Sequence, residues 1–178
     1  MNSLPPEILQ RARAVRLMIF DVDGVLTDGT LWYGGAGDEL KAFHAFDGHG
    51  MKMLARAGVP CALLSGRSSA AVAARAAELE IGLVFQGVDD KLGAYRELLA
   101  RKNLRPEETG FMGDELVDLP VLTRCGFACA PREAPQEVRG RVHYVASAPA
   151  GRGAAREVCE LVMRAQGSLE RAVQGYLA

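Results

Sequence analysis

Two carboxylates separated by a single residue are the most chemically suggestive feature of the sequence. Asp21 and Asp23 follow the apolar run RLMIF (16–20), so both can lean toward one space while Val22 points back into the core. Two carboxylates in one place favour a hard cation, and Mg²⁺ prefers a few carboxylate or carbonyl oxygens together with water and substrate phosphate. Asp114, which follows another apolar run, would add an oxygen ligand. The set predicts a magnesium site.

Phosphoryl transfer is the chemistry that fits these residues. One carboxylate attacks phosphorus to form an aspartyl-phosphate, and a second carboxylic acid protonates the leaving oxygen and then activates water. Ser65 and Lys91 would bind the phosphoryl oxygens. The hydroxyl and the backbone N–H groups at the start of a helix after Ser65 form an anion site, to which Lys91 adds a point charge.

Each of these motifs, taken singly, has a simpler interpretation. The Asp-x-Asp-Gly segment alone fits a turn or a calcium loop, but an EF-hand needs a preceding helix and a ligand at residue 25, which is Val25. A lone Ser-Gly-Arg or Gly-Asp is typical of a turn or a helix cap. Their order at the ends of successive apolar runs favours one shared site.

The elements that must position these residues alternate along the chain. Short apolar runs predict strands at RLMIF (16–20), VPCALLS (59–65), GLVFQ (82–86), TGFMG (109–113) and GFACA (126–130). Amphipathic stretches predict helices over 48–57, 68–79, 91–102 and 154–165. This alternation predicts an α/β, Rossmann-like parallel sheet with helices on both faces. Ligands of such sheets bind outside the carboxyl edge, where the polar residues named above would gather.

One segment departs from this alternation. Residues 29–46 alternate apolar and polar side chains around a Gly34–Gly37 turn, which predicts a protruding β-hairpin. We expect a single domain over 1–178, with this hairpin insertion, a C-terminal tail helix at about 151–178 and no cap domain. Trp32 and Tyr33 on the hairpin are expected to make hydrophobic contacts within an oligomer, because an exposed aromatic hairpin favours association.

Composition excludes several functional classes. Lys plus Arg number 21 and Asp plus Glu 22, so no basic excess is available for nucleic acid. The longest apolar runs fall far short of the roughly 20 residues of a membrane span. The amino terminus lacks the apolar centre of a signal peptide, and the 4 cysteines show no CxxC pair. We therefore expect a cytoplasmic protein with reduced, buried thiols rather than a disulfide framework or a zinc site.

The motifs resemble those of a known superfamily. DVDGVLTDG (21–29), SGR (65–67), Lys91 and GDELVD (113–118) are similar to the four motifs of the haloacid dehalogenase superfamily of phosphatases. The resemblance implies a HAD-like fold, with Asp21 as nucleophile and Asp23 as acid/base. It further implies that Mg²⁺ is held by the Asp21 carboxylate, the Asp23 backbone carbonyl and Asp114. Ser65 and Lys91 match the phosphate-binding positions.

The gaps between these motifs are too short for a cap domain, which narrows the resemblance to the capless members of the superfamily. With TDGTLWY, ELKAFHAFDGHGM, FQGVDDK and GRGAAREV (151–158), the chain is similar to the small capless phosphatases of 3-deoxy-D-manno-octulosonate (KDO) 8-phosphate, on the route to lipopolysaccharide. The resemblance implies a homotetramer in which the hairpins meet centrally and a neighbouring subunit partly covers each active site. It also implies a set of residues that contact the sugar acid: Arg67, Arg75, Asp47, Gly48 and Arg152.

Two departures from the family pattern are visible. Glu115 follows Asp114 where a second Asp is common, which affects the expected metal geometry. The superfamily also accepts a second Asp four residues on, which Asp118 provides, so metal binding is still expected. Phe46 precedes the Asp-Gly-x-Gly stretch where related phosphatases commonly carry Arg, which affects the expected substrate specificity.

Three hypotheses remain open at this point. The first is a magnesium-dependent phosphatase of the eight-carbon sugar acid 8-phosphate. The second keeps the chemistry but moves it to a nine-carbon sugar acid 9-phosphate, since the same capless architecture resembles that group as well. The third is a non-catalytic domain for oligomerisation or regulation, which has no chemical need for Asp21, Asp23, Lys91 and Asp114 together.

Overall fold

A computed structural model of the protein describes residues 4–35 and 39–177. The strands in these residues are β1 (Leu17–Phe20), β2 (Trp32–Tyr33), β3 (Glu39–Leu40), β4 (Cys61–Leu64), β5 (Leu83–Phe85), β6 (Thr109–Met112), β7 (Phe127–Ala130) and β8 (Tyr144–Val145). Six of them form one parallel sheet in the order β5-β4-β1-β6-β7-β8. β2 and β3 form a separate antiparallel pair. Because β1 lies between β4 and β6, Asp21 leaves the middle of the sheet.

Helices connect the strands. Those in the described residues are α1 (Pro6–Ala14), α2 (Ala45–Arg56), α3 (Ala70–Glu78), α4 (Lys91–Lys102), α5 (Leu119–Leu122), α6 (Gln136–Arg139), α7 (Ala154–Ala165) and α8 (Leu169–Gln174). Short 3₁₀ turns lie at Pro106–Glu108 and Leu116–Asp118. α4 starts after Asp90, whose carboxylate accepts the N–H of Gly93 at 2.9 Å. This cap places Lys91 at the first position of α4, beside the carboxyl edge of the sheet. No helix in the described residues is long and apolar enough to cross a membrane.

The sheet is covered on both faces, and β1 contributes to both cores. Met18 and Phe20 pack in a cluster with side chains of α1, α2, α3 and α7. Leu17 and Ile19 point the other way, into a cluster with α4, α5 and α6. All four are fully buried. Burial of one such side chain contributes about 1.5–3 kcal/mol, so the loop after β1 starts from a rigid base.

These observations confirm the predicted fold class and a strand within each of the five predicted runs. The sixth strand, β8, was not predicted because it has only two residues, which is shorter than the apolar runs that indicated the other strands. The hairpin is confirmed as an antiparallel pair but is shorter than 29–46, since α2 begins at Ala45, where His44 accepts the Phe46 N–H at 3.2 Å. Residues 36–38 of its predicted turn lie outside the described residues. The predicted tail helix is two helices, interrupted at Gly167, which has a φ of +70°.

Candidate active site

The loop after β1 holds two carboxylates at the carboxyl edge of the sheet. The Asp21 N–H donates to the carbonyl of Met112 on the neighbouring strand at 2.9 Å, which extends the sheet by one step. The Val22 carbonyl then accepts the N–H groups of residues 25, 26 and 27 and closes a tight turn. Thr27 Oγ accepts the N–H groups of Gly24 and Gly29. Val22 is fully buried, as predicted, so Asp21 and Asp23 leave the turn on the other side.

Lys91 joins two of the predicted acidic residues. Its Nζ lies 2.9 Å from Asp21 Oδ2 and 2.6 Å from Asp118 Oδ1, and all three side chains are buried. Burial opposes the charged ammonium, but the two carboxylates outweigh it and raise the pKa of Lys91. Burial, together with the neighbouring Asp118, raises the pKa of Asp21 to about 6. Lys91 therefore carries a fixed positive charge beside the predicted nucleophile.

Asp118 shapes the loop after β6. Its Oδ2 accepts the backbone N–H groups of Asp114 at 3.0 Å and of Glu115 at 3.1 Å, while its Oδ1 accepts Lys91. Both of its oxygens are therefore already engaged in organising the loop. The Glu115 carboxylate accepts the N–H of Leu116 at 2.6 Å on an exposed surface. Glu115 is therefore not one of the buried carboxylates, although its charge helps to raise the pKa of Asp114.

The carboxylates fit a divalent cation. One ligand oxygen from each of Asp21, Asp114 and Asp118 lies within 4.8 Å of the others. Asp114 Oδ1 is buried without a hydrogen-bond partner among the described residues, which is costly unless a ligand satisfies it. A β-carbon at Gly24 would overlap the Asp114 carboxylate, so glycine leaves it room. Burial and the neighbouring carboxylates of Asp21, Asp118 and Glu115 raise the pKa of Asp114 to about 7. The oxygens suit Mg²⁺, and those not already engaged belong to Asp21 and Asp114.

Asp23 contacts the base of the hairpin, a feature that the sequence reasoning missed. Its Oδ1 is paired with Lys41, whose Nζ also lies 3.1 Å from Glu39 Oε1. Arg67 Nη2 donates to Glu39 Oε1 at 3.0 Å and to the Tyr33 hydroxyl at 2.8 Å. Although burial acts in the opposite direction, the bonds from Arg67 and Lys41 lower the pKa of Glu39 to about 2. The alternation of residues 29–46 predicted a hairpin but not which of its charges would be buried.

The loop after β4 brings a hydroxyl to the same edge. Ser65 is buried; its N–H donates to the Phe85 carbonyl at 2.8 Å, and its Oγ accepts the Arg67 N–H at 3.3 Å. β4 pairs directly with β1. Ser65 therefore lies one strand away from Asp21. In the strand order, Ser65 after β4 and Lys91 after β5 lie on the same side of β1.

Three predicted substrate-contacting residues are used in packing. The Asp47 carboxylate is buried and accepts the N–H groups of Gly153 at 3.0 Å and Arg156 at 2.8 Å, so it caps the start of α7. Gly48 packs against the Arg75 guanidinium, which donates to the His44 carbonyl at 3.2 Å. Burial raises the pKa of Asp47 although these N–H groups counteract it. Because Asp47 on α2 caps a different helix, α7, no pattern in the sequence around Asp47 indicates this contact.

Arg152 lines a cleft together with residues of the loops after β1 and β6, which hold the candidate metal ligands. The Gly151 N–H donates to the Val25 carbonyl at 2.9 Å, and Gly151 has a φ of +58° and packs on the backbone of Thr27. The cleft has a volume of about 400 Å³. Its lining includes Gly24, Asp28, Asp114, Glu133, Ala150 and Arg152. A guanidinium is thus placed at the mouth of the carboxylate site.

Comparisons with known proteins agree with this geometry. Residues 83–157 match the model of the haloacid dehalogenase-like hydrolases. The chain is 42% identical to the 3-deoxy-D-manno-octulosonate 8-phosphate phosphatase of Yersinia pestis over 166 residues, which cover 93% of this chain and 89% of that protein. The corresponding phosphatase of Escherichia coli K12 is 39% identical over 93% of this chain and 88% of its own length.

A solved structure shows the same likeness in three dimensions. The 3-deoxy-D-manno-octulosonate 8-phosphate phosphatase of Moraxella catarrhalis, in complex with magnesium, phosphate and KDO, matches with a TM-score of 0.94 and 37% identity over 96% of this chain and 98% of that one. Near-complete coverage at this identity leaves no part of the sheet or of the carboxylate loops outside the likeness. The chain therefore belongs to the haloacid dehalogenase-like hydrolases, in the family of the 3-deoxy-D-manno-octulosonate 8-phosphate phosphatases.

Proposed function

We propose that this protein hydrolyses 3-deoxy-D-manno-octulosonate 8-phosphate to KDO and inorganic phosphate, in lipopolysaccharide biosynthesis, with Mg²⁺ as cofactor. The observation that carries the proposal is the buried Asp21–Lys91–Asp118 ion network beside Asp114 Oδ1, which has no hydrogen-bond partner in the part of the chain that the structure describes. A non-catalytic domain would bear the cost of burying these charges without using them. The family relatives, which are phosphatases of this sugar phosphate, support the choice of substrate.

The reaction has two steps. A carboxylate oxygen of Asp21 attacks phosphorus, the bond from phosphorus to the sugar oxygen breaks, and Asp23 donates a proton to that oxygen. Asp23 then removes a proton from water, which attacks the aspartyl-phosphate and releases phosphate with Asp21 restored. Lys91 and Ser65 bind the non-reacting phosphoryl oxygens and hold phosphorus in line with the nucleophile.

The proposed ligands of Mg²⁺ are the Asp21 carboxylate, the Asp23 backbone carbonyl and Asp114. The bound ion would offset the repulsion between the nucleophile and the phosphate dianion. Asp118 acts on this site indirectly, because it orients Lys91 and the backbone of Asp114.

Arginines are the proposed readers of the sugar acid. The Arg67 side chain is 43% exposed at the hairpin base, and Arg152 lies at the mouth of the cleft. The planar fork of a guanidinium binds a carboxylate in bidentate fashion, which suits a substrate with a carboxylate as well as a phosphate. Arg75, Gly48 and Asp47 form the wall at the first turn of α2 in this proposal.

The proposed enzyme is a cytoplasmic homotetramer of one catalytic domain over 1–178, with no nucleic-acid or membrane partner. The hairpin supports assembly, because Trp32 is 59% and Tyr33 65% exposed, and Leu31 and Leu40 are exposed beside them. The short hairpin and α2 are the described elements between β1 and β4, and neither is a cap domain. A neighbouring subunit would therefore cover the active site. All four cysteines are free and buried, as expected in a reducing compartment.

Phosphate release with and without Mg²⁺ tests this function. The substrates are KDO 8-phosphate, a nine-carbon sugar acid 9-phosphate and 4-nitrophenyl phosphate, each run with the wild type and with Asp21→Asn. The proposal expects preference for the eight-carbon substrate, lost on chelation and in the variant. Preference for the nine-carbon compound would keep the mechanism and replace the substrate. Absence of release from all three would refute the enzyme assignment.

A further inference from the structure

The catalytic acid/base is held by a side chain from outside the four motifs. Lys41 follows β3 and pairs with Asp23 Oδ1. Its side chain is only 1% exposed, although lysine is almost never fully buried without a partner. A lysine in that position loses hydration and rotamer freedom, so the contact is a defined arrangement rather than a loose surface ion pair.

The two oxygens of Asp23 differ in their surroundings. Oδ1 accepts Lys41, whereas Oδ2 is buried without a hydrogen-bond partner among the described residues. Arg67 Nε lies 3.6 Å from Oδ2, which is too long for a hydrogen bond. One oxygen is thus anchored, and the other is left available for the leaving oxygen and then for water.

Residues of both hairpin strands help to hold Lys41 in place. Glu39 on β3 accepts from Lys41 and from Arg67, and Arg67 also donates to Tyr33 on β2. The charges alternate in sign from Asp23 through Lys41 and Glu39 to Arg67. Each charged group therefore has an oppositely charged neighbour, which limits the movement of Lys41 away from Asp23.

We propose that Lys41 is a positioning residue that fixes the carboxylate of Asp23 so that Oδ2 delivers and later removes the catalytic proton. The hairpin then has a second task besides association, because its base completes the acid/base site of its own subunit. This inference rests on the proposed phosphatase function, and it assigns a role to a residue that contacts neither phosphate nor metal in that mechanism.

Leaving-group dependence distinguishes positioning of Asp23 from a general structural role. A sugar alkoxide must be protonated as it leaves, whereas 4-nitrophenolate leaves without a proton. Lys41→Met keeps an unbranched side chain that is one atom shorter and removes the charge. In single-turnover reactions of the magnesium-loaded full-length protein, we expect it to slow sugar release from KDO 8-phosphate by about 10- to 100-fold, as part of a general-acid contribution. The first-turnover release of 4-nitrophenolate should change by less than about threefold, because that step needs no general acid.

Several variants complete the experiment. Lys41→Arg retains a cation within reach of Asp23 and should recover most of the lost rate. Adding Lys41→Met to Asp23→Asn should cause little further loss, because both act through the same group. Lys102→Met, an exposed lysine at the far end of α4, is the control and should match the wild type. Inhibition by inorganic phosphate and the melting temperature report whether the Lys41 variants keep a folded phosphate site.

The outcomes separate this inference from the proposed function. Equal slowing of both substrates in a folded Lys41→Met would overturn the inference, because the lysine would then act on the nucleophile or the phosphate site. Unchanged single-turnover rates would overturn it as well. A wild type that releases no sugar from KDO 8-phosphate would refute the proposed function, and the inference with it.

Discussion

Substitution of Asp47 tests whether this residue acts on the substrate or on the fold. Its buried carboxylate accepts two backbone N–H groups at the start of α7, from Gly153 and Arg156. α7 has no cap from its own sequence, since its N-cap residue is Gly153. In Asp47→Ala both N–H groups lose their acceptor, and the positive end of the helix dipole loses its counter-charge.

The size of the effect follows from these contacts. A hydrogen bond to a charged group contributes about 1.5–3 kcal/mol, so the two together contribute about 3–6 kcal/mol. Burial of the carboxylate offsets part of this, as its raised pKa indicates. We therefore expect Asp47→Ala to lower the free energy of unfolding by about 3 kcal/mol, which corresponds to a melting temperature roughly 6–12 °C lower. Asp47→Asn keeps one acceptor oxygen and should lose about half as much.

Urea denaturation followed by circular dichroism measures the stability, and steady-state kinetics well below the melting temperature measure KM. Glu137→Gln, an exposed carboxylate in α6, is the control. Capping predicts a stability loss with KM for KDO 8-phosphate nearly unchanged in Asp47→Asn. A direct substrate contact predicts the reverse, with KM raised by about tenfold or more. Unfolding within about 0.5 kcal/mol of the wild type, together with such a KM, would refute the capping argument.

Three further predictions concern the metal site and the hairpin. Gly24→Ala should weaken Mg²⁺ binding in calorimetry by about tenfold or more, because the added methyl group displaces Asp114 from its proposed ligand position. Gly58→Ala is the control: Gly58 also has a positive φ but has open space around it, so this variant should leave the Mg²⁺ affinity unchanged. Burial raises the folded-state pKa values of Asp21 to about 6 and of Asp114 to about 7, so the metal-free protein should lose stability as pH rises from 5 to 8. Mg²⁺ should therefore raise the melting temperature more at pH 8 than at pH 5. An equal increase at both pH values would contradict the pKa shifts. Trp32→Glu should convert the proposed tetramer to smaller species in light scattering, and a monomeric wild type at micromolar concentration would refute the assembly argument.

The sequence was sufficient for five of the six strands of the sheet and for the residues that follow three of them. Apolar runs alternating with helical periodicity predicted β1, β4, β5, β6 and β7, and a parallel sheet brings the ends of its strands to one edge whatever the lengths of the helices between them. Asp21, Ser65 and Asp114 could be placed for that reason. Lys91 could be placed because it opens a helix directly after a strand.

Other assignments required the tertiary structure, because they depend on contacts between distant segments. Asp47 and Gly153 are 106 residues apart, and the packing of α2 on α7 decides that the Asp47 carboxylate is buried beside Gly153. Lys41 and Asp23 are only 18 residues apart, but the fold of the hairpin back onto the β1 loop decides that the lysine is buried. Period-2 alternation specifies which residues share a face of a hairpin and not what that face touches. The sequence by itself thus determined which polar groups follow the strands and meet at one edge of the sheet, and it predicted phosphoryl transfer from their types. Packing between segments decided which other side chains contact those groups.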